Sequence, residues 1–233
     1  MSACVPCMFV AGGVPALSDR FFADLARMGQ RRQTDPSFYL VVWCLESGLN
    51  PGIVNSIGAR GLNQMMPKTL AGLGAPADFE KLSGEDQLPW IERLIAGGEA
   101  LNGGPFRTAA RYYHSNFYPV TMARGDTPGT VVVAGDSPDA QERAAYAANK
   151  VLDANGDGRI TLADLATLLD HVRATRCQDA FVRLAAAVEA LRPPGPTWGD
   201  GPPAVARRRG PGPLLVGMGL ALGTVTMAHR RTR

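Results

Sequence analysis

The sequence predicts a mainly α-helical protein, on three observations. Residues 38–45 (FYLVVWCL) form an almost wholly apolar run of the kind a buried element carries, and it ends on an acid, Glu46. Several other stretches repeat apolar residues at helical spacing. Cap and stop residues bound most of them. With 45% hydrophobic and 19% charged residues over 233 positions, the chain has the material for a real core in one or two domains.

Residues 17–32 (LSDRFFADLARMGQRR) read as an amphipathic helix capped by Ser18, with Phe21, Phe22, Leu25 and Met28 on one face. Asp35-Pro36 opens the helix carrying the apolar run, with proline early in the helix, where its missing N–H is not needed. Asn50-Pro51-Gly52 marks a turn, and Gly58 and Gly61 a bend. Residues 68–73 suggest a short helix closed by Gly72 and Gly74. Residues 84–102 place Leu88, Trp90, Ile91, Leu94 and Ile95 on one side and stop at Asn102-Gly103-Gly104-Pro105. Residues 131–133 are a short apolar run inside a loop, read as an irregular segment or an isolated strand. Asp136-Ser137-Pro138 looks like a helix start. Helical patterns at 141–152 and 162–172 then flank an acidic turn, and 178–192 add an amphipathic helix with Phe181, Leu184, Val188 and Leu191 inward.

The formal net charge of +3 misleads. Residues 193–233 hold six of the 24 basic residues and one of the 21 acids, which leaves 18 basic against 20 acidic residues, or −2, for the body. The folded part is therefore not a basic nucleic-acid binder. Cys44 lies in the apolar run and reads as a small core residue. Cys4-Val5-Pro6-Cys7 lacks a second pair or a histidine partner for zinc, so the four cysteines do not decide the compartment.

The stretch after the apolar run carries the most specific pattern. Glu46-Ser47-Gly48, Asn50-Pro51, Gly58-Ala59-Arg60-Gly61-Leu62 and Gln64-Met65-Met66-Pro67 occur in that order over about thirty residues. This resembles the signature of soluble lytic transglycosylases and their goose-type lysozyme relatives. The resemblance implies a lysozyme-like helical domain over residues 1–135, with Glu46 as the sole catalytic carboxylate. A carboxyl at the end of a buried helix tends to hold its proton to higher pH, which suits a general acid. By the same resemblance Ser47, Gln64 and Tyr113 orient Glu46 or hold an N-acetyl sugar. The relatives' Ala-Tyr-Asn motif is altered here to Tyr112-Tyr113-His114, and Tyr113 with Pro119 matches a phage-associated subgroup. Asn63 stands where relatives usually carry an apolar methionine, so its side chain faces either the cleft or solvent. His114 reads either as a group titrating near neutrality or as a structural residue.

A second motif spans Asp153-x-Asn155-x-Asp157-Gly158-Arg159-Ile160-Thr161-x-x-Asp164. Side-chain oxygens at 153, 155 and 157, the Arg159 carbonyl, Thr161 and a closing Asp164 fit an EF-hand loop, with Gly158 at the sharp turn. The expected cofactor is therefore structural Ca2+, held modestly because Asp164 replaces the usual glutamate. Residues 136–192 are read as an EF-hand-like helical extension. A single such loop beside a transglycosylase body also occurs in the phage-associated relatives.

Residues 193–212 are Pro/Gly-rich with a basic triplet and read as a linker. Residues 213–228 carry no charge, and as a helix they would span about 24 Å, short of the roughly 30 Å hydrocarbon thickness. Residues 213–233 are read as a membrane-associated tail, a disordered end or a partner-docking helix. The opening residues lack a basic run, so a poor secretory signal is expected. An enzyme acting on the wall would then be delivered by a phage particle, a lysis system or a secretion apparatus.

The expected activity, as the resemblance implies it, is cleavage of the β-1,4 bond between N-acetylmuramic acid and N-acetylglucosamine in peptidoglycan without a protein nucleophile. The alternatives are a hydrolase that uses water instead, and a catalytically weak glycan-binding or virion structural module.

Overall fold

The computed structural model describes residues 17–192, which are mainly helical. Helix α1 (Asp19–Arg32) starts at Ser18, whose hydroxyl accepts from the Phe21 N–H, and it buries Phe21, Phe22, Leu25 and Met28. Helix α2 (Pro36–Ser47) is capped by Asp35, whose carboxylate accepts from the Ser37 N–H. It is buried from Tyr39 to Leu45 because α1, α5 (Ala109–Phe117), α7 (Leu162–Thr175) and α8 (Gln178–Ala190) all pack on it. A helix enclosed on every side needs no polar face, which explains its uniform apolar run. It ends at Gly48, in the left-handed region at φ 60°, a conformation glycine adopts at little cost.

Helix α3 (Pro67–Leu73) is closed by Gly74, and Gly72 lies inside it rather than ending it. Helix α4 (Gly84–Asn102) begins at Ser83, buries Leu88, Ile91 and Ile95, and leaves Trp90 and Leu94 half-buried at the core's edge. Tyr39, Trp43, Tyr112 and Phe106 form an aromatic cluster between α2 and α5. The same core continues past residue 135 through Val132, Val133, Ile160, Leu165 and Val172.

The 131–133 run is not isolated. Strand β1 (Val131–Ala134) pairs antiparallel with β2 (Arg159–Thr161), because Val132, Val133 and Ile160 are all buried against the core. Helix α6 (Ala140–Ala148) also begins later than its proline suggests, since Asp139 is the cap and accepts from the Gln141 and Glu142 N–H groups. The Ser137 hydroxyl instead donates to Glu142, which also accepts from the two terminal Arg124 guanidinium nitrogens and from the Ala134 N–H. The Arg124 hydrogen bonds hold the buried Glu142 carboxyl below its usual range.

Cys44 is more than a small core residue: it forms a disulfide with Cys177 at the start of α8. The two are separated by 133 positions, which sequence spacing does not relate. Among the described residues no helix is long and apolar enough to cross a membrane. Cys4, Cys7, the linker at 193–212 and the apolar stretch at 213–228 lie outside the described residues.

Candidate active site

Glu46 sits one residue before the end of α2 and lines a cleft of about 190 Å3. The opposite walls come from the 55–66 loop (Asn55, Ile57, Ala59, Asn63, Gln64, Met65, Met66), from Thr69 of α3, Leu94 of α4, and Ser115, Asn116, Phe117 and Pro119 at the end of α5. Glu46 is the only carboxylate among these residues. Asp78, a more distant acid, pairs with Lys81 and does not line the cleft.

Desolvation by burial pushes the Glu46 carboxyl up to about 7, and the Tyr113 hydroxyl beside it acts in the opposite direction. Tyr113 is fully buried next to Glu46 without completing a hydrogen bond, and burial followed by the Glu46 charge raises its own pKa well above the usual phenol. A donor held this close, but unspent, is placed to tighten on the carboxylate when charge develops there.

The 55–66 loop is built by side chains turned back on its own backbone. The Asn55 amide oxygen accepts from the Ile57 and Ala59 N–H groups, and Arg60 pairs through its backbone with Met65. Gly61, at φ 72°, leaves no room for a side chain: a β-carbon there would stand 2.4 Å from Gln87 Oε1. That oxygen accepts from the Leu62 N–H at 2.9 Å, while Gln87 Nε2 donates to the Pro51 carbonyl at 2.8 Å. Gln87 is therefore the buried anchor of the loop. Its isolated position on a helix face gives no local signal of that role. The Arg60 guanidinium, for its part, donates to the Ala77 carbonyl and to Glu80, so it braces the loop from outside the cleft.

The site residues expected from sequence divide. Glu46 and Gln64 line the cleft, and Tyr113 lies beside Glu46 beneath the surface. Gln64 Nε2 donates to the Gly61 carbonyl, which leaves its buried Oε1 without a partner. Ser47 does not reach the cleft: it is buried, and its hydroxyl donates back to the Trp43 carbonyl one turn earlier. Asn63 is not turned to solvent but is 5% exposed, with its Oδ1 accepting from Trp43 Nε1 at 2.8 Å, the Tyr112 hydroxyl at 2.6 Å and Asn116 Nδ2 at 3.0 Å. His114 is fully buried, and burial followed by the Arg111 charge holds it near 4, so it is neutral at physiological pH. Arg111, a donor only, meets its Nδ1 at 3.1 Å, so Nε2 carries the proton toward Thr121 Oγ1 at 2.9 Å. His114 is thus a structural link between α5 and β1 by way of Thr121, whose hydroxyl is 2.8 Å from the Val132 carbonyl.

The 153–164 loop lies elsewhere, ahead of α7. Asp153 Oδ1 accepts from the Gly156 and Asp157 N–H groups, and its Oδ2 from the Gly158 N–H and the Tyr146 hydroxyl. Desolvation opposes these bonds, but together they hold the Asp153 carboxyl below its usual range. Asn155 Oδ1 accepts from the Asp157 N–H, and Asp157 Oδ1 from the Arg159 N–H. Thr161 and Asp164 form a reciprocal capping box at the start of α7. Among the described residues no three His, Cys, Asp or Glu side chains are drawn together as a metal-holding group.

Residues 25–88 match the family model described as Transglycosylase SLT domain. That span runs from the middle of α1 into α4, and so contains Glu46, the 55–66 loop and Gln87. Neither the search of curated proteins nor that of solved structures found a match.

Proposed function

We propose, from the premise that residues 25–88 place this chain in the soluble lytic transglycosylase, lysozyme-like family, that Glu46 alone carries out cleavage of the MurNAc-β-1,4-GlcNAc bond. Members of that family are lytic transglycosylases acting on peptidoglycan, and glycan strands are the substrate the domain implies. The single observation that carries the finer reading is a solitary carboxylate in the cleft, with its pKa raised and a tyrosine hydroxyl at its side.

Protonated Glu46 gives its proton to the glycosidic oxygen as the bond to the anomeric carbon breaks, leaving an oxocarbenium-like sugar. The ionised Glu46 then removes the proton of that sugar's own 6-hydroxyl, which closes onto the anomeric carbon. The product is a 1,6-anhydro end, and Glu46 is protonated again. A glycosidase working by two carboxylates needs the second about 5–9.5 Å from the first. Among the described residues Glu46 is the one carboxylate that lines this cleft, which supports the one-carboxylate route. Mass spectrometry of digested sacculi tests it: anhydromuramyl ends are expected, and reducing ends would replace the proposal by a lysozyme-type hydrolysis.

The chain's work lies beyond the cytoplasm on this reading. A Cys44–Cys177 disulfide is the chemistry of an oxidising compartment, which accords with carriage by a virion or a secretion apparatus.

Ca2+ belongs to the same reading. The oxygen donors of Asp153, Asn155, Asp157, Thr161 and Asp164, with the Arg159 carbonyl, suit a hard cation in chemistry. The loop is bent by Gly156 and Gly158 at positive φ and pinned through β2 to β1. Bound there, the ion would act as a structural clamp and would take no part in cleavage. Calorimetry is expected to give one saturable site with a Kd on the order of 0.1–1 mM, together with a Tm that rises with Ca2+. Asp153→Ala should remove both effects, and a flat titration of the parent chain would end the proposal.

A further inference from the structure

The direction of one buried amide follows from its neighbours. Trp43 is fully buried, and its indole N–H only donates. Asn63 therefore turns its oxygen, not its nitrogen, toward Trp43. The Asn116 amide nitrogen also points at that oxygen, so a reversed Asn63 would set donor against donor twice. With Oδ1 spent on three donors, Asn63 Nδ2 is left over. It has no partner among the described residues, yet it is not sealed from solvent, and Asn63 lines the cleft that holds Glu46.

Gln64, the next residue, is fixed in the opposite sense. Its nitrogen is held by the Gly61 carbonyl, and its oxygen is buried without a partner, although the residue lines the same cleft. Of the two consecutive side chains, Asn63 is thus the one that offers a free, solvent-reached N–H donor beside Glu46. A carbonyl is the neutral group that suits a lone donor, because its oxygen only accepts, whereas a hydroxyl brings a proton of its own to be placed. On a glycan that group is carried by an acetamido substituent.

We propose that Asn63 is a specificity-determining residue that donates its Nδ2–H to the acetamido carbonyl of the bound sugar, with Trp43, Tyr112 and Asn116 fixing its direction. This inference rests on the peptidoglycan reading above. A hydrogen bond whose buried donor is already oriented costs little reorganisation on binding, and a sugar lacking the carbonyl leaves that donor unsatisfied.

The test uses the full chain with Glu46→Gln, so that bound sugar is not turned over. Binding of an N-acetylglucosamine tetramer is compared with that of a glucose tetramer, which is neutral and lacks only the acetamido groups. The Glu46→Gln chain is expected to prefer the N-acetylated tetramer by at least roughly tenfold. Adding Asn63→Asp keeps an acceptor for Trp43, Tyr112 and Asn116 but deletes the donor, and the preference should collapse to within about threefold. A preference that survives Asn63→Asp overturns the inference and leaves the peptidoglycan reading standing. Failure of the Glu46→Gln chain to bind either tetramer or isolated sacculi overturns that reading, and this inference with it. Should Asn63→Asp fold poorly, the Asn63 side-chain NH2 resonances, identified by their proximity to the Trp43 indole, give a second measurement in the Glu46→Gln chain. They are expected to shift in step with tetramer binding, and resonances that stay fixed while binding saturates overturn the proposal.

Discussion

Glu46→Gln is expected to abolish wall lysis and, at the same time, to make the protein more stable above neutral pH. The loss should be at least roughly 1,000-fold, since general acid–base catalysis contributes about 10^2–10^4 and, in the mechanism proposed above, one group serves both proton transfers. The stability effect follows from the sign of the pKa shift. Folding raises the Glu46 pKa from 4.5 to about 7, so between those values the folded state holds a proton the unfolded state has lost. The parent's stability therefore falls as pH rises through that window, by about 1–3 kcal/mol once the partial exposure of Glu46 is allowed for. Glutamine mimics the protonated acid at every pH. The two proteins should melt together near pH 4, then diverge until the variant leads by roughly 3–10 °C above pH 7. Thermal melts across pH 4–8, paired with sacculus digestion, check both halves. Parent activity should also decline as pH climbs past 7 and the acid loses its proton. Unchanged lysis would remove Glu46 from the mechanism, and a melting difference independent of pH would remove the burial argument.

How much of this could be read beforehand depended on how far apart the determining residues lie. Ser18, Asp35 and Gly48 act on their immediate neighbours, and the helices they bound stand where the pattern put them. Glu46 and Gln64 were legible because one local stretch fixes the end of α2 and the loop that faces it. The polarity of Asn63 was not legible. It is set by Trp43, Tyr112 and Asn116, which lie 20, 49 and 53 positions away and reveal nothing of one another until α2 and α5 pack together. The direction of the Ser47 hydroxyl was hidden for a different reason: near the end of a buried helix it returns to the carbonyl one turn back and is satisfied without any ligand. The pairing of β1 with β2 was hidden because each strand is too short to show a period, and only the joint burial of Val133 and Ile160 explains it.

Removing the Cys44–Cys177 bridge is the second change expected to have a large effect. The bridge ties α2, which carries Glu46, to the first residue before α8, across 133 positions of chain. Cross-links that close long loops restrict the unfolded chain most, and losing a native disulfide typically costs about 2–5 kcal/mol. Cys177 adds a local reason, since it sits in the left-handed region at φ 53°, which a residue with a β-carbon adopts only when its surroundings hold it there. The double variant Cys44→Ala/Cys177→Ala should melt roughly 5–15 °C below the parent. A reductant should lower the parent's Tm by a similar amount and leave the double variant unmoved, which separates the cross-link from the loss of two sulfur atoms. Cys44 and Glu46 are two positions apart on one helix, so their side chains leave the axis about 200° apart. One side of α2 is thereby fastened toward α8 while the other presents the acid to the cleft. Loosening the first is therefore expected to reduce sacculus digestion under reducing conditions even at temperatures where the fold survives. Equal digestion with and without reductant, alongside an unchanged Tm, would mean that the packing of α2 alone positions its acid.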